Sequence, residues 1–264
     1  MERGIPPAEA GYFHVILSEM KFFFHFGRYL LMLRQMLSKP ENGRMYWEET
    51  VRQMASIGLG SVGIVAFVAV FMGGVSAVQT VYQLVAPYIS LTVVGSIVTN
   101  SSILELGPSV TSLVLAGKIG SNIASELGYM RSSEQIDALE IMGVNPVAYL
   151  VGPKVLACLT MIPLLVVVSI STAIAGGMVI CQLTGLITYD QFIEGARSSF
   201  LAYDVFFAMC KAFTFAFFIS SVSAYHGYHV QGGALEVGRA STKAVVYCCI
   251  LILSGDYILA ELLL

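Results

Sequence analysis

Few residues in this chain are equipped for chemistry, and their spacing speaks of force and charge rather than bond-breaking. The densest polar run extends from Glu126 to Pro146. Ser132 followed by Gln135 has the spacing of a capping box, Gly143 suits a left-handed helix end, and Pro146 cannot continue a helix. The pattern predicts a short cytoplasmic helix over residues 132–142, with Ile136, Leu139 and Met142 on one face and Glu134, Asp137 and Glu140 projecting beside it. Two readings fit equally: a helix that exchanges force with a soluble partner, or a loop helix resting on the membrane surface.

Ionisable groups inside apolar stretches are the second set. Glu105 is expensive in lipid unless it is neutral, paired or open to a polar cavity. Asn100, Ser102 and Glu105 are therefore candidates for the polar end of a lipid cavity, the alternative being a structural hydrogen bond with Ser101 and Ser102. Asp256 carries the same ambiguity, and Lys211 either snorkels or faces the bundle interior. The acids read as scattered single groups without an internal repeat, unlike the paired midplane residues of gradient-driven transporters.

Other chemistries find little support. His226 and His229 could share a metal on a helix, but Gly227 between them argues for a tight turn, and no His-Glu-x-x-His pattern occurs. Cys158, Cys181, Cys210, Cys248 and Cys249 lie in apolar stretches without CxxC spacing and read as buried hydrophobes. Asp190, Glu194 and Asp204 read as solvated surface. There is no GxSxG nucleophile motif. Gly117-Lys118 is followed by Ile119, and Ser112 stands where a P-loop needs its first glycine, so no nucleotide site is expected. We expect no catalytic residue, metal or cofactor in this chain. Energy must come from a partner or a gradient.

The elements that position these residues are membrane helices. The chain is 56% hydrophobic and 12% charged, against about a quarter charged in soluble domains, so charges are too few to cover a water-facing surface. The apolar runs far exceed the ~10-residue strands of a barrel, so the crossings are helices. A net charge of −3 leaves no basic patch for nucleic acid. Residues 12–37 carry one polar stripe, Ser18, Lys21, His25, Arg28 and Gln35, and predict an interfacial helix with its apolar side down and the stripe facing headgroups. A true span is the alternative there. No removable signal peptide is read at the N-terminus.

Arg44 to Arg52 reads as a short aqueous segment, and spans are expected at 57–82, 102–127, 155–183, 205–224 and 244–264. The stretch from Ile89 to Met130 is too long for one crossing, and breaks are expected at Thr99–Ser102 and Gly107-Pro108, giving a short outer or re-entrant segment before the second span. Glycines 58, 60, 63, 73 and 74 would let the first span approach a neighbour closely. Lys and Arg concentrate before span one, between spans two and three, and between four and five. The positive-inside rule then places the N-terminus in the cytoplasm and the C-terminus outside.

Glu105-Leu-Gly-Pro108, Leu115-Ala-Gly-Lys118, Ala124-Ser-Glu-Leu-Gly128, Met130-Arg131, the run from Glu134 to Pro146, and Gly238-Arg-Ala-Ser-Thr242 followed by Ala244-Val-Val resemble the MlaE (YrbE) family of ABC-transporter permeases, from about residue 45 to the C-terminus. The resemblance implies an all-α permease in a bacterial inner membrane, homodimeric, working with two cytoplasmic ATPase subunits that bind ATP and Mg. It also implies a periplasmic MCE-domain partner, leaves room for a small cytoplasmic accessory subunit, and makes phospholipid the cargo, moved between inner and outer membranes to maintain outer-membrane asymmetry. In the family the segment matching Arg131 to Pro146 is the coupling helix. This implies that Arg131, Glu134, Gln135, Asp137, Leu139, Glu140 and Met142 meet the ATPase. The chain departs from the family in carrying Asn145 where Asp is common, and both initiate turns before Pro. A gradient-driven secondary transporter of an amphipathic substrate is the alternative function.

Overall fold

A computed structural model describes residues 23–37, 43–84, 90–185 and 187–263. The apolar runs fold as five helices long enough to cross a membrane: α2 (Gly43–Gln83), α3 (Thr92–Ser132), α5 (Val147–Leu183), α7 (Ala202–Tyr228) and α8 (Ala234–Leu263). Around them lie α1 (residues 23–36), the short α4 (Gln135–Ile141) and α6 (Tyr189–Ser198). Among the described residues there is no strand, and the chain is an all-α, multi-pass membrane protein.

Several expected boundaries move. Residues 44–52, expected as a short aqueous segment, are continuous with the span as the first turns of α2, carrying the pairs Arg44–Glu48 at 3.0 Å and Arg52–Glu49 at 2.8 Å. At 41 residues α2 and α3 each run about 60 Å, so their ends project beyond a hydrocarbon core of about 30 Å. The N-terminal part of the predicted interfacial helix, residues 12–22, lies outside the described residues.

The expected break in α3 is absent. The helix continues through Gly107-Pro108 by widening into π-helical turns over Ser102–Val110 and again over Ala116–Gly120. A proline in α geometry clashes with the carbonyl four residues back and withholds an amide from it. The wider turn relieves the clash, and the carbonyl of Leu104, deprived of a Pro108 amide, accepts from Lys211 Nζ at 3.1 Å. Neighbouring groups thus re-satisfy the backbone where a proline interrupts a membrane helix.

Close packing of α2 on α5 forms the spine of the bundle. A Cβ on Gly73 would meet the backbone of Ala173, and one on Gly176 would lie 2.5 Å from the carbonyl oxygen of Val70. Lipid provides no hydrophobic drive between helices, so this backbone-to-backbone approach is what small residues provide. Gly58 and Gly74 also meet α5 side chains, whereas Gly60 and Gly63 face open space. At the other end of the spine Gly95 and Gly195 join the start of α3 to α6. The latter helix is opened by a capping box between Thr188 and Gln191. By contrast, α8 buries only Ala244, Cys248 and Ile252, one residue per turn, and leaves Tyr247, Ile250, Leu253 and Tyr257 exposed.

Candidate functional site

The link between α3 and α5 is held more firmly than a loop. Ser132 does not cap α4: it is the last residue of α3, and Glu134 precedes α4 in a left-handed conformation with φ +58° and no capping side chain. The expected capping box therefore does not form. Instead Arg131 Nη1 reaches Asp137 Oδ1 at 2.5 Å, tying the end of α3 to the first turn of α4. The C-terminal expectation stands. Gly143 takes φ +82°, its amide donates to Glu140 O at 3.0 Å, and the Val144 amide donates to Leu139 O at 3.1 Å, a Schellman motif. Asn145 Oδ1 then accepts from the amides of Val147 and Ala148 at 3.1 and 3.4 Å and starts α5.

This clamp fixes which side chains α4 presents. Ile136 is fully buried and Leu139 is partly buried, while Met142 is 68% exposed and does not share their face. Ile141, absent from the sequence expectation, is 88% exposed. Glu134, Gln135 and Glu140 are also exposed, and Glu140 accepts from Tyr228 OH of α7 at 3.2 Å. The outcome is a short braced rod with an apolar tip of Ile141 and Met142 flanked by acids. Helical periodicity could not find Ile141, because the cap geometry, not the helical face, decides which residues protrude at the end.

The second site is a charge cluster within the membrane helices. Lys211 of α7 is fully buried, 2.9 Å from Glu105 Oε1 of α3 and 2.8 Å from Asp256 Oδ1 of α8. Ser109 Oγ donates to Asp256 at 2.8 Å and lies 3.3 Å from Glu105. The Phe207 ring lies 4.7 Å from the ammonium. The acids are therefore not scattered single groups: three helices bring them to one lysine, and Lys211 faces the bundle interior rather than snorkelling. Two carboxylates share one cation, and the Glu105 side chain remains 50% exposed against 18% for Asp256. A half-exposed carboxylate at a membrane helix surface needs a polar cavity or a partner chain beside it.

Asn100 and Ser102 do not join this cluster. Ser102 is fully buried, and its hydroxyl has no protein partner, as is also true of Asn100 Oδ1, Thr99 Oγ1 and Ser112 Oγ. Of the three cavity candidates Ser102 is closed off, Asn100 is partly buried and Glu105 is half exposed. A second ion pair, Lys154 Nζ to Glu126 Oε2 at 2.6 Å, fastens the N-terminal part of α5 to α3, so Lys154 is a buried structural cation rather than a loop charge. Asp204 is likewise buried rather than solvated.

His226 lies in the last turn of α7 and His229 in the turn that follows it, and no metal-holding group of His, Cys, Asp or Glu occurs among the described residues. His25 of α1 bonds Tyr225 OH at 2.7 Å, and Tyr29 bonds Ser221 at 2.8 Å. Part of the α1 stripe thus faces α7 rather than headgroups.

The family model described as Permease MlaE matches residues 50–262. The chain belongs to the MlaE permease family. A probable ABC transporter permease protein of Rickettsia prowazekii is 36% identical over 222 residues, covering 83% of this chain and 84% of that protein. A probable ABC transporter permease protein of Synechocystis is 34% identical over 221 residues, covering 84% of each. The chloroplastic protein trigalactosyldiacylglycerol 1 of Arabidopsis thaliana is 29% identical over 227 residues, covering 86% of this chain and 65% of that protein. As an MlaE permease the chain is the membrane component of an ABC transporter.

Proposed function

We propose that this permease moves phospholipid between the inner and outer membranes of a diderm envelope and so maintains outer-membrane lipid asymmetry, with the energy supplied by ATPase subunits docked on α4. One observation carries the reading: α4 is braced at three points and offers Ile141, Met142, Glu134 and Glu140 to a partner. A rod fixed to α3 and α5 transmits a push to both. Arg131 and Asp137 lock the rod, and Leu139 seats it. Gln135, exposed at its first turn, belongs to the docking face.

Lipid as cargo is supported by the half-exposed Glu105 held from behind by Lys211, which offers a polar end to an otherwise apolar cavity. It is also supported by a relative named after a diacylglycerol glycolipid. The exposed stripe of α8 beside Glu105 suits a second copy of the chain, giving a homodimer with the cavity between copies. In this reading the chain lies in a bacterial inner membrane with α1 and α4 in the cytoplasm and the C-terminus in the periplasm, where an MCE-domain protein receives the lipid. A small cytoplasmic accessory subunit has room beside the ATPase. ATP and Mg bind the partner, not this chain. Closure of the ATPase pair pushes α4, and α3 carries the motion past its π-helical turns to Glu105.

A gradient-driven transporter remains the second reading, because one buried lysine between two carboxylates is the kind of group that exchanges protons. Affinity purification in mild detergent separates the two. A nucleotide-hydrolysing subunit and bound phospholipid should co-purify; a chain that purifies alone and transports on a pH gradient without ATP overturns the proposal.

A further inference from the structure

Where α1, α4 and the end of α7 meet, a cleft of about 230 Å³ opens, lined by Arg28, Arg131, Glu140, Tyr228, His229 and Gln231. It lies where the long helices finish, since α3 ends at Ser132 and α7 at Tyr228. At 27 residues α7 is about 40 Å long, close to the thickness of a bilayer with its headgroups, so its end reaches headgroup depth. The polar groups here are unequally committed. Arg131 is bonded to Asp137, and Glu140 accepts from Tyr228. Arg28 makes no ion pair among the described residues and rests 5.5 Å from the Phe24 ring. Burial pushes His229 below the ordinary histidine value, and the nearby Arg28 and Arg131 add to the effect. Its Nδ1 donates to Tyr225 O at 3.0 Å, leaving Nε2 as an acceptor toward its surroundings.

Beside this polar cleft α1 turns an apolar strip outward: Phe23, Phe24, Leu30 and Leu31 are 65%, 61%, 49% and 58% exposed. Two guanidinium groups in a recess next to an exposed apolar strip match an amphiphile with an anionic head. A soluble anion has no use for the strip, and a purely apolar ligand has no use for the arginines.

We propose that this cleft binds the headgroup of a phospholipid, its phosphate held by Arg28 and Arg131 and its acyl chains along α1, at a site separate from the cluster around Lys211. The phosphate oxygens accept from both guanidinium groups, and Arg28 supplies the charge that Asp137 does not cancel. Glu140 and His229 Nε2 are acceptors suited to the ammonium of an ethanolamine head, so an ethanolamine phospholipid fits better than a glycerol one. Arg28 belongs to α1 and Glu140 to α4, so a bound headgroup couples the surface helix to the braced rod. That last consequence alone rests on the proposed function; binding itself does not.

Hydrogen exchange on the full-length protein in neutral detergent, stripped of lipid, tests the site without any partner subunit. At ten times the dissociation constant, phosphatidylethanolamine should slow amide exchange about tenfold in residues 229–233 and in α1. Phosphatidylglycerol should protect less at equal concentration. Arg28→Gln should lose the protection, and Arg28→Lys, which keeps a point charge, should retain most of it. Inorganic phosphate protecting as well as the lipid would make the cleft a site for a soluble anion and overturn the lipid assignment. Absence of protection, or equal protection in Arg28→Gln, overturns the site altogether.

Discussion

Replacing Lys211 by Met removes the one cation from a cluster that holds two carboxylates, and the structure fixes how the cost divides. Breaking one side of a buried ion pair costs about 3–5 kcal/mol, because the remaining charge stays buried without compensation. Asp256, 18% exposed, keeps most of that penalty, while Glu105, 50% exposed, is screened and contributes little. The carbonyl of Leu104 also loses its ammonium. We expect Lys211→Met to destabilise by about 3 kcal/mol, more than a hundredfold in the folded ratio. Asp256→Asn should cost about 2 kcal/mol, and Glu105→Gln less than about 1 kcal/mol. The triple variant Lys211→Met, Glu105→Gln, Asp256→Asn removes every charge and should recover most of the loss. Reversible unfolding in mixed micelles, followed by circular dichroism, measures the series. If Lys211→Met is as stable as the unaltered chain, or if the triple variant is no better than Lys211→Met, the cluster is not a mutually compensated unit and the reasoning fails.

Other outcomes follow from the packing and the caps. Gly176→Val sets a branched side chain against the Val70 backbone and should cost at least about 3 kcal/mol, whereas Gly60→Ala, with open space around it, should change stability by less than about 0.5 kcal/mol in the same unfolding assay. Gly143→Val forces a β-branched residue to φ +82° and should cost about 1–2 kcal/mol, seen as faster hydrogen exchange in α4. His229 is held neutral by burial, so below its ordinary value of 6.5 the unfolded chain takes up a proton that the folded chain does not. Stability should therefore be full above pH 6.5 and fall as the pH drops below it, with a shallower slope in His229→Gln. Charge reversal of both Glu134 and Glu140 to Lys should uncouple ATP hydrolysis from lipid transport in vesicles containing the assembled complex; intact coupling would remove these acids from the docking face.

The membrane class and the crossings were legible because they depend on the length and apolarity of uninterrupted runs, which neighbours do not alter. The Gly143 end of α4 was legible too, since a glycine just past a periodic run has one common use. Its start was not. Ser132 has the right spacing for a cap, but the Arg131–Asp137 pair draws the chain into a turn one residue pair later, a contact that spacing does not display. Pro108 misled for a related reason. Its local preference is to break a helix, and the compensation comes from a widened turn and a lysine about a hundred residues away. The same distance hid the cluster itself: Glu105, Lys211 and Asp256 lie on three helices, and nothing local to any of them names the others. Ser102, grouped with Asn100 and Glu105, is fully buried, which its place in the sequence does not display.

The most direct measurement is site-directed cross-linking at the tip of α4. A photoreactive residue placed at Met142, in a complex purified with its partners, should couple to a nucleotide-hydrolysing subunit, and the yield should change when ATP is hydrolysed. The same probe at Leu164, an exposed position midway along α5, should couple to lipid alone. A probe at Met142 that captures lipid but no such subunit would contradict the assignment of α4 as the part that receives the stroke.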